Sequence, residues 1–290
     1  MGMTDSTLPA PAPEPQKGTR AGRHVRPGRP AAFFDLDKTI IAKSSTLAFS
    51  RPFYAGGLIT RGSVLRSAYA QFVYLVGGAD HDQMEKMREY LSDLSAGWDV
   101  QTVRDIVADT LHHIVDPLVY DEAVSLIEEH QLEGRDVVIV SASGAEVVEP
   151  IGEMLGADGV IATRMEIEDG KYTGEIGYYA YARNKATAIE ELAKEKGYDL
   201  SRSYAYSDSV TDVHMLEIVG HPYAVNPDRE LRKIAASRGW PVLWFNRPVA
   251  LHRRMRLPSS KPTLAAIALG TAVSVGGAIY LAARRRVSPS

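Results

Sequence analysis

The sequence predicts an α/β fold: a doubly wound parallel sheet with an inserted all-α module, followed by a C-terminal transmembrane helix. Three observations lead there. Short apolar runs at 31–34, 137–140 and 204–206 each end in acidic or hydroxyl residues, the pattern of buried parallel strands. Helical stretches separate the later strands, as parallel crossovers require. A block from about 42 to 132 has helical patterning without Val/Ile-rich runs, and so reads as an insertion.

Residues 1–30 read as a disordered tail, because Pro9, Pro11, Pro13 and Pro15 alternate with small or polar residues. The tail lacks the apolar core of a signal peptide, so the body is expected to stay in the cytoplasm. Order begins at the strand Ala31-Ala32-Phe33-Phe34. The insertion is expected to hold helices at 59–76, 80–95, 99–115 and 117–131. A strand at 137–140 then ends in Ser141-Ala142-Ser143-Gly144, and a helix at 145–155 follows. Residues 159–177 read as short strands turning at Glu168-Asp169-Gly170-Lys171, since Asp-Gly favours hairpin turns. Asn184 is expected to cap a helix running to about 196, with Gly197 as its stop signal. Further strands fit 204–206, 222–225 and 241–245. The organisation is thus a tail at 1–30, a catalytic domain at 31–245 and a basic linker at 246–262. A membrane helix at 263–283 and a basic tail at 284–290 complete it.

Composition narrows the chemistry. With 45% hydrophobic and 24% charged residues the chain is ordinary globular protein. It has no cysteine, which excludes disulfides, thiolate nucleophiles and Cys-based zinc sites. The net charge of −3 conceals an asymmetry: residues 1–30 carry +3 and residues 246–290 carry +8, leaving −14 for the body. An acidic body is a poor binder of nucleic acid. Basic flanks suit a chain held near an anionic membrane surface.

Residues 264–283 contain no charge and Arg284-Arg285-Arg286 follow at once. A helix of that length spans roughly 30 Å, the thickness of a bilayer core. Arg253, Arg254, Arg256 and Lys261 precede it, so basic residues flank both ends and do not set the orientation. The expectation is a single-pass anchor in the cell membrane with the catalytic domain in the cytoplasm.

The chemistry-bearing residues stand at strand ends. Asp35 and Asp37, two apart in extended chain, point the same way and raise each other's pKa unless a cation intervenes. Asp208 and Asp212 follow another apolar strand, and Ser141 ends a third. In a parallel sheet these ends meet at one edge, where ligands bind. Hard oxygen ligands without Cys or His suit Mg²⁺. Lys185 adds a cation for a phosphate and a carboxylate. His112 and His113, adjacent on a helix, do not share a face and read as surface or packing residues. Trp98, Trp240 and Trp244 read as core or boundary aromatics.

Taken in order, Asp35-Leu36-Asp37-Lys38-Thr39, Ser141, Lys185 and Ser207-Asp208-Ser209-Val210-Thr211-Asp212 resemble the four motifs of the haloacid dehalogenase-like superfamily. The helical insertion and the Glu168-to-Gly174 hairpin resemble its phosphoserine-phosphatase-like branch. The resemblance implies a Rossmann-like fold and a Mg²⁺-dependent phosphatase acting through an aspartyl-phosphate. Asp35 would be the nucleophile, Asp37 the acid and base, with Ser141 and Lys185 holding the phosphoryl group. Asp35, Asp37 through its carbonyl, Asp208 and Asp212 would form the metal site. The chain departs from true phosphoserine phosphatases at Ser44, where they carry an ammonium-binding Glu, and at Thr211, where they usually carry Asn. The expected substrate is a small phosphorylated metabolite. Phosphoserine and a lysophospholipid-type phosphate stand as alternatives. A membrane-tethered regulatory protein with little turnover is the alternative of another class.

Overall fold

The structure is a computed structural model in which residues 28–59 and 92–248 are described. The helix expected at 59–76, most of that at 80–95, nearly all of the N-terminal tail and the segment at 263–283 lie outside the described residues. Among the described residues no helix is long and apolar enough to cross a membrane.

A seven-stranded sheet in the order β4-β3-β2-β1-β5-β6-β7 organises the chain. Its strands are β1 (Ala31–Phe34), β2 (Asp136–Gly144), β3 (Gly159–Glu168), β4 (Lys171–Tyr178), β5 (Tyr204–Ser207), β6 (His221–Val225) and β7 (Val242–Leu243). All neighbours run parallel except β3 and β4, which form an antiparallel edge hairpin. Asp169 and Gly170 both have positive φ at its turn, as a tight hairpin turn of this hand requires.

The central strand β1 is buried on both faces, so its four residues alternate between two cores. Ala32 and Phe34 join Val137, Ile139 and Tyr206 on one face, while Ala31 and Phe33 join Val138, Val140 and Ala205 on the other. From β1 the chain builds outward through β2 and β3, then crosses to β5 and β6 on the other side. The switch point lies at β1 and β5, which places a crevice at their C-terminal ends.

Among the described residues the α-helices are α1 (Ser45–Ala48), α2 (Ser50–Ala55), α3 (Val100–Val115), α4 (Asp121–Leu132), α5 (Ala145–Met154), α6 (Arg183–Lys196), α7 (Val213–Glu217) and α8 (Arg229–Arg238). Asp99 caps α3 by accepting from Thr102 N–H at 2.7 Å, and Val103, Val107 and Leu111 form its buried stripe. The inserted segment leaves and rejoins the sheet domain at one place. Ala42 N–H donates to Leu118 O and Tyr120 N–H donates to Ile40 O. Residues 97–100 dock on the hairpin: Gly97 N–H donates to Tyr172 O, Tyr172 N–H to Trp98 O and Val100 N–H to Gly170 O.

Three local expectations are corrected. α1 and α2 carry too few periodic residues to be read from sequence, and Pro52 lies within α2. The helix expected at 117–131 starts later, at Asp121, after a 3₁₀ turn at Asp116–Leu118. It packs on the sheet rather than in the insertion, with Leu126 and Ile127 buried beside Ile139. Asn184 is not a cap. It lies inside α6, where its side-chain amide donates to Tyr179 O at 2.9 Å, and Ala182 precedes the helix with φ +50°.

Candidate active site

The residues singled out from sequence gather at the C-terminal ends of β1, β2 and β5. Asp35 directly follows β1, its backbone N–H donating to Tyr206 O at 2.9 Å across to β5. That bond aligns it with Asp208, which follows β5. Lys185 comes from the first turn of α6 and is buried. Its ammonium donates to Asp35 Oδ1 at 2.7 Å and to Asp212 Oδ2 at 2.8 Å. Thr39 Oγ1 donates to the other Asp35 oxygen at 3.2 Å. The nucleophile candidate is therefore fixed at both oxygens.

Asp37 is held by different groups. Ser45 N–H, at the start of α1, donates to its Oδ1 at 2.8 Å, and Ser143 Oγ donates to its Oδ2 at 3.3 Å. Ser141 Oγ accepts from Ser143 N–H at 3.2 Å, which leaves its hydroxyl proton for another acceptor. Asp212 is buried. Ser207 Oγ donates to its Oδ2 at 2.7 Å, and its Oδ1 is buried with no hydrogen-bond partner. Asp228 braces the loop, accepting from Val210 N–H at 2.8 Å and donating its own N–H to Asp208 O at 2.8 Å.

The electrostatics are those of crowded carboxylates. Burial pushes Asp35 up to about 7 against the pull of Lys185, with Asp212 adding to the rise. Burial also pushes Asp208 up to about 8, aided by Asp35. Asp37 is raised by burial, although its bonds from Ser45 and Ser143 oppose the shift. Burial alone would lower Lys185, but Asp212 and Asp35 together outweigh it and hold the ammonium charged. One ammonium cannot balance this many buried carboxylates.

That deficit and the orphaned Asp212 oxygen are what a divalent cation would correct, and the donors are hard oxygens. Among the described residues no group of three acid or histidine side chains forms a metal cage by itself. Asp212 commits one oxygen to Lys185 and Ser207, so only Oδ1 is left to serve a cation. Asp35, Asp208 and the Asp37 carbonyl remain, a sparse set that fits an ion retaining its own waters, as Mg²⁺ does. His112 lies on the surface, 3.5 Å from Asp116 Oδ1, away from this crevice. Trp244 is half exposed beneath Arg232, while Trp98 packs partly against the core.

Sequence reasoning passed over Thr39, Ser45, Ser143 and Ser207. Thr39 and Ser207 stood inside quoted motifs, so their position was a usable signal. Ser45 acts through its backbone N–H, which carries no side-chain signature.

A buried lysine bridging two acids at the switch point of a Rossmann-like sheet suits transfer of a phosphoryl or related group. Residues 32–217 match the model of the haloacid dehalogenase-like hydrolases. The chain is 64% identical over 264 residues to the inhibition of morphological differentiation protein of Streptomyces azureus, covering 90% of this chain and 95% of that one. It is 57% identical over 284 residues to a probable phosphatase of Mycobacterium tuberculosis, with 98% of each chain covered. A phosphoserine phosphatase of the same organism is 34% identical over 260 residues, 89% of this chain and 81% of that one. The chain belongs to the haloacid dehalogenase-like hydrolase family, in its phosphoserine-phosphatase-like branch. In class it is a phosphoric monoester hydrolase.

Proposed function

We propose that the chain hydrolyses a small phosphomonoester through an aspartyl-phosphate on Asp35, with Mg²⁺ as its cofactor. The observation that carries the reading is the arrangement around the two aspartates. Asp35 is pinned by Lys185 and Thr39, whereas Asp37 is held separately by Ser45 and Ser143. Two carboxylates with different environments are suited to different roles.

In the first step an Asp35 oxygen attacks phosphorus, the ester P–O bond breaks, and the Asp37 carboxyl gives its proton to the leaving oxygen. Burial raises the Asp37 carboxyl above its ordinary value, which favours the protonated form the step requires. In the second step Asp37, now a carboxylate, takes a proton from water. The water oxygen attacks phosphorus, and the bond to Asp35 breaks, releasing phosphate. Lys185 and the Ser141 hydroxyl face charge on the transferring group. Asp35 and Asp208, with the Asp37 carbonyl, would hold Mg²⁺, and Asp212 would support it. When bound, the ion supplies positive charge to the phosphoryl oxygens and keeps Asp35 ionised.

The substrate is a small phosphorylated metabolite, with phosphoserine disfavoured because Ser44 cannot pair with an ammonium as a carboxylate does. Residues 263–283 are proposed to anchor the catalytic domain to the cytoplasmic face of the cell membrane. The test of the enzyme reading is hydrolysis of p-nitrophenyl phosphate by the full chain with Mg²⁺. Asp35→Asn is expected to lower turnover by at least about 10³-fold, and a fully active variant would refute the assignment.

A further inference from the structure

Asp37 must carry a proton to one atom and then remove one from another, so the direction of its carboxyl matters as much as its protonation. Three hydrogen bonds form a relay that sets this direction. Ser45 Oγ donates to Ser143 Oγ at 2.8 Å, and Ser143 Oγ donates onward to Asp37 Oδ2 at 3.3 Å. Ser45 N–H holds Oδ1 at 2.8 Å. Thr46 Oγ1 lies 3.3 Å from Ser143 Oγ and adds a second hydroxyl to the junction. Ser45 and Ser143 are both buried, so water does not replace these bonds cheaply.

The three residues come from three parts of the chain. Asp37 follows β1, Ser143 ends β2, and Ser45 begins the inserted helical segment. Ser143 does not reach Asp35, whose partners are Lys185 and Thr39.

We propose that Ser143 is a positioning residue for the acid–base step, its hydroxyl aiming the Asp37 carboxyl, with Ser45 tying that aim to the seating of the inserted segment. This rests on the role given to Asp37 under Proposed function. The consequence is selective. In the first step, esters whose leaving group departs without a proton need little from Asp37, whereas esters with a basic leaving group need it fully; the second step needs it equally for both. Phenol, close to tyrosine with a pKa of about 10, is the more demanding of two simple aryl leaving groups. p-Nitrophenol is the less demanding.

The test compares Mg²⁺-dependent kcat/KM, which reports the step in which the leaving group departs, on phenyl phosphate and p-nitrophenyl phosphate for the full chain. Variants are Asp37→Asn, Ser143→Ala, Ser143→Thr and Ser45→Ala. Ser143→Ala is expected to lose at least about tenfold more kcat/KM on phenyl phosphate than on p-nitrophenyl phosphate. Ser143→Thr, which keeps the hydroxyl, is expected to restore most of it. Ser45→Ala, which retains the N–H bond to Oδ1, should show the same bias more weakly. If Ser143→Ala does not fold, as a lowered melting transition would show, the bias in Ser45→Ala and its absence in Ser143→Thr decide the matter. Equal losses on both esters, or none, while Asp37→Asn keeps the bias, would overturn the role of Ser143 and leave the enzyme reading standing. An Asp37→Asn variant without the bias, or a wild type inactive on both esters, would overturn the reading beneath it.

Discussion

Lys185 sits between Asp35 and Asp212, and Asp208 stands nearby, where the pull of Lys38 and Lys185 does not overcome its burial and the charge of Asp35. Because Asp35 and Asp208 are raised to about 7 and about 8, the folded state holds protons there that the unfolded chain has released. Their contribution to stability is therefore full below about pH 4 and is lost as pH rises through 7 to 8. A divalent cation replaces those protons. Mg²⁺ is expected to raise the melting temperature more at pH 8 than at pH 5, with EDTA reversing the gain, and differential scanning fluorimetry at the two pH values checks it. A larger gain at pH 5 would contradict the assigned charge deficit. Asp35, Asp37, Asp208, Asp212 and Lys185 were legible because their spacing after apolar runs is a linear pattern. The Ser45 and Ser143 hydroxyls behind Asp37 were not, since a serine's partner 98 residues away leaves no mark on the chain.

At the scale of elements, the approach to α6 and the face of α4 carry the main departures from a sequence reading. Ala182 takes φ +50° just before α6, a conformation that strains a residue with a Cβ and that glycine adopts freely. Asn184 looked like the cap because its type favours that place, but its amide serves Tyr179 instead. Ala182→Gly is expected to stabilise the fold by about 1 kcal/mol without moving Lys185, measured by urea unfolding. On α4, His130 is fully buried against the stacked rings of Phe34 and Tyr206. It pairs with Tyr206 Oη at 2.9 Å and accepts from Arg135 Nε at 2.6 Å. Burial, with Arg135 adding, lowers its pKa to about 3. The unfolded chain then binds a proton that the folded one refuses, so stability falls as pH drops from about 6.5 toward 3. The slope is up to about 1.4 kcal/mol per pH unit. His130→Phe should flatten that slope while costing about 1–3 kcal/mol at pH 7 for the Tyr206 hydroxyl and the Arg135 Nε–H that lose their partner, as melts across pH 4 to 7 would show.

For the whole molecule, the parallel sheet and the meeting of three strand ends at one edge were legible, because the apolar runs end in acids after β1 and β5 and in Ser141 at β2, whereas the strand order comes from the structure. The extent of the inserted segment was not, because α4 is amphipathic in either setting and only packing assigns it to the sheet. Arg247 is tied to that junction, where Asp121 N–H donates to its carbonyl oxygen at 2.9 Å. Placing Arg at both Gly270 and Ser274 is expected to move the full chain from the membrane fraction to the soluble one, since each charge at mid-bilayer costs about 2.5–3.5 kcal/mol. Unchanged fractionation would refute the anchor and leave the catalytic account intact.

That account turns on a covalent bond at Asp35. Its most direct measurement is rapid acid quench during turnover of p-nitrophenyl phosphate, with mass spectrometry of the peptide containing residues 31–41. The expected result is one phosphoryl group on Asp35, absent from Asp35→Asn, which is also inactive. Turnover by wild type with the phosphoryl group elsewhere, or by Asp35→Asn at an undiminished rate, would contradict it.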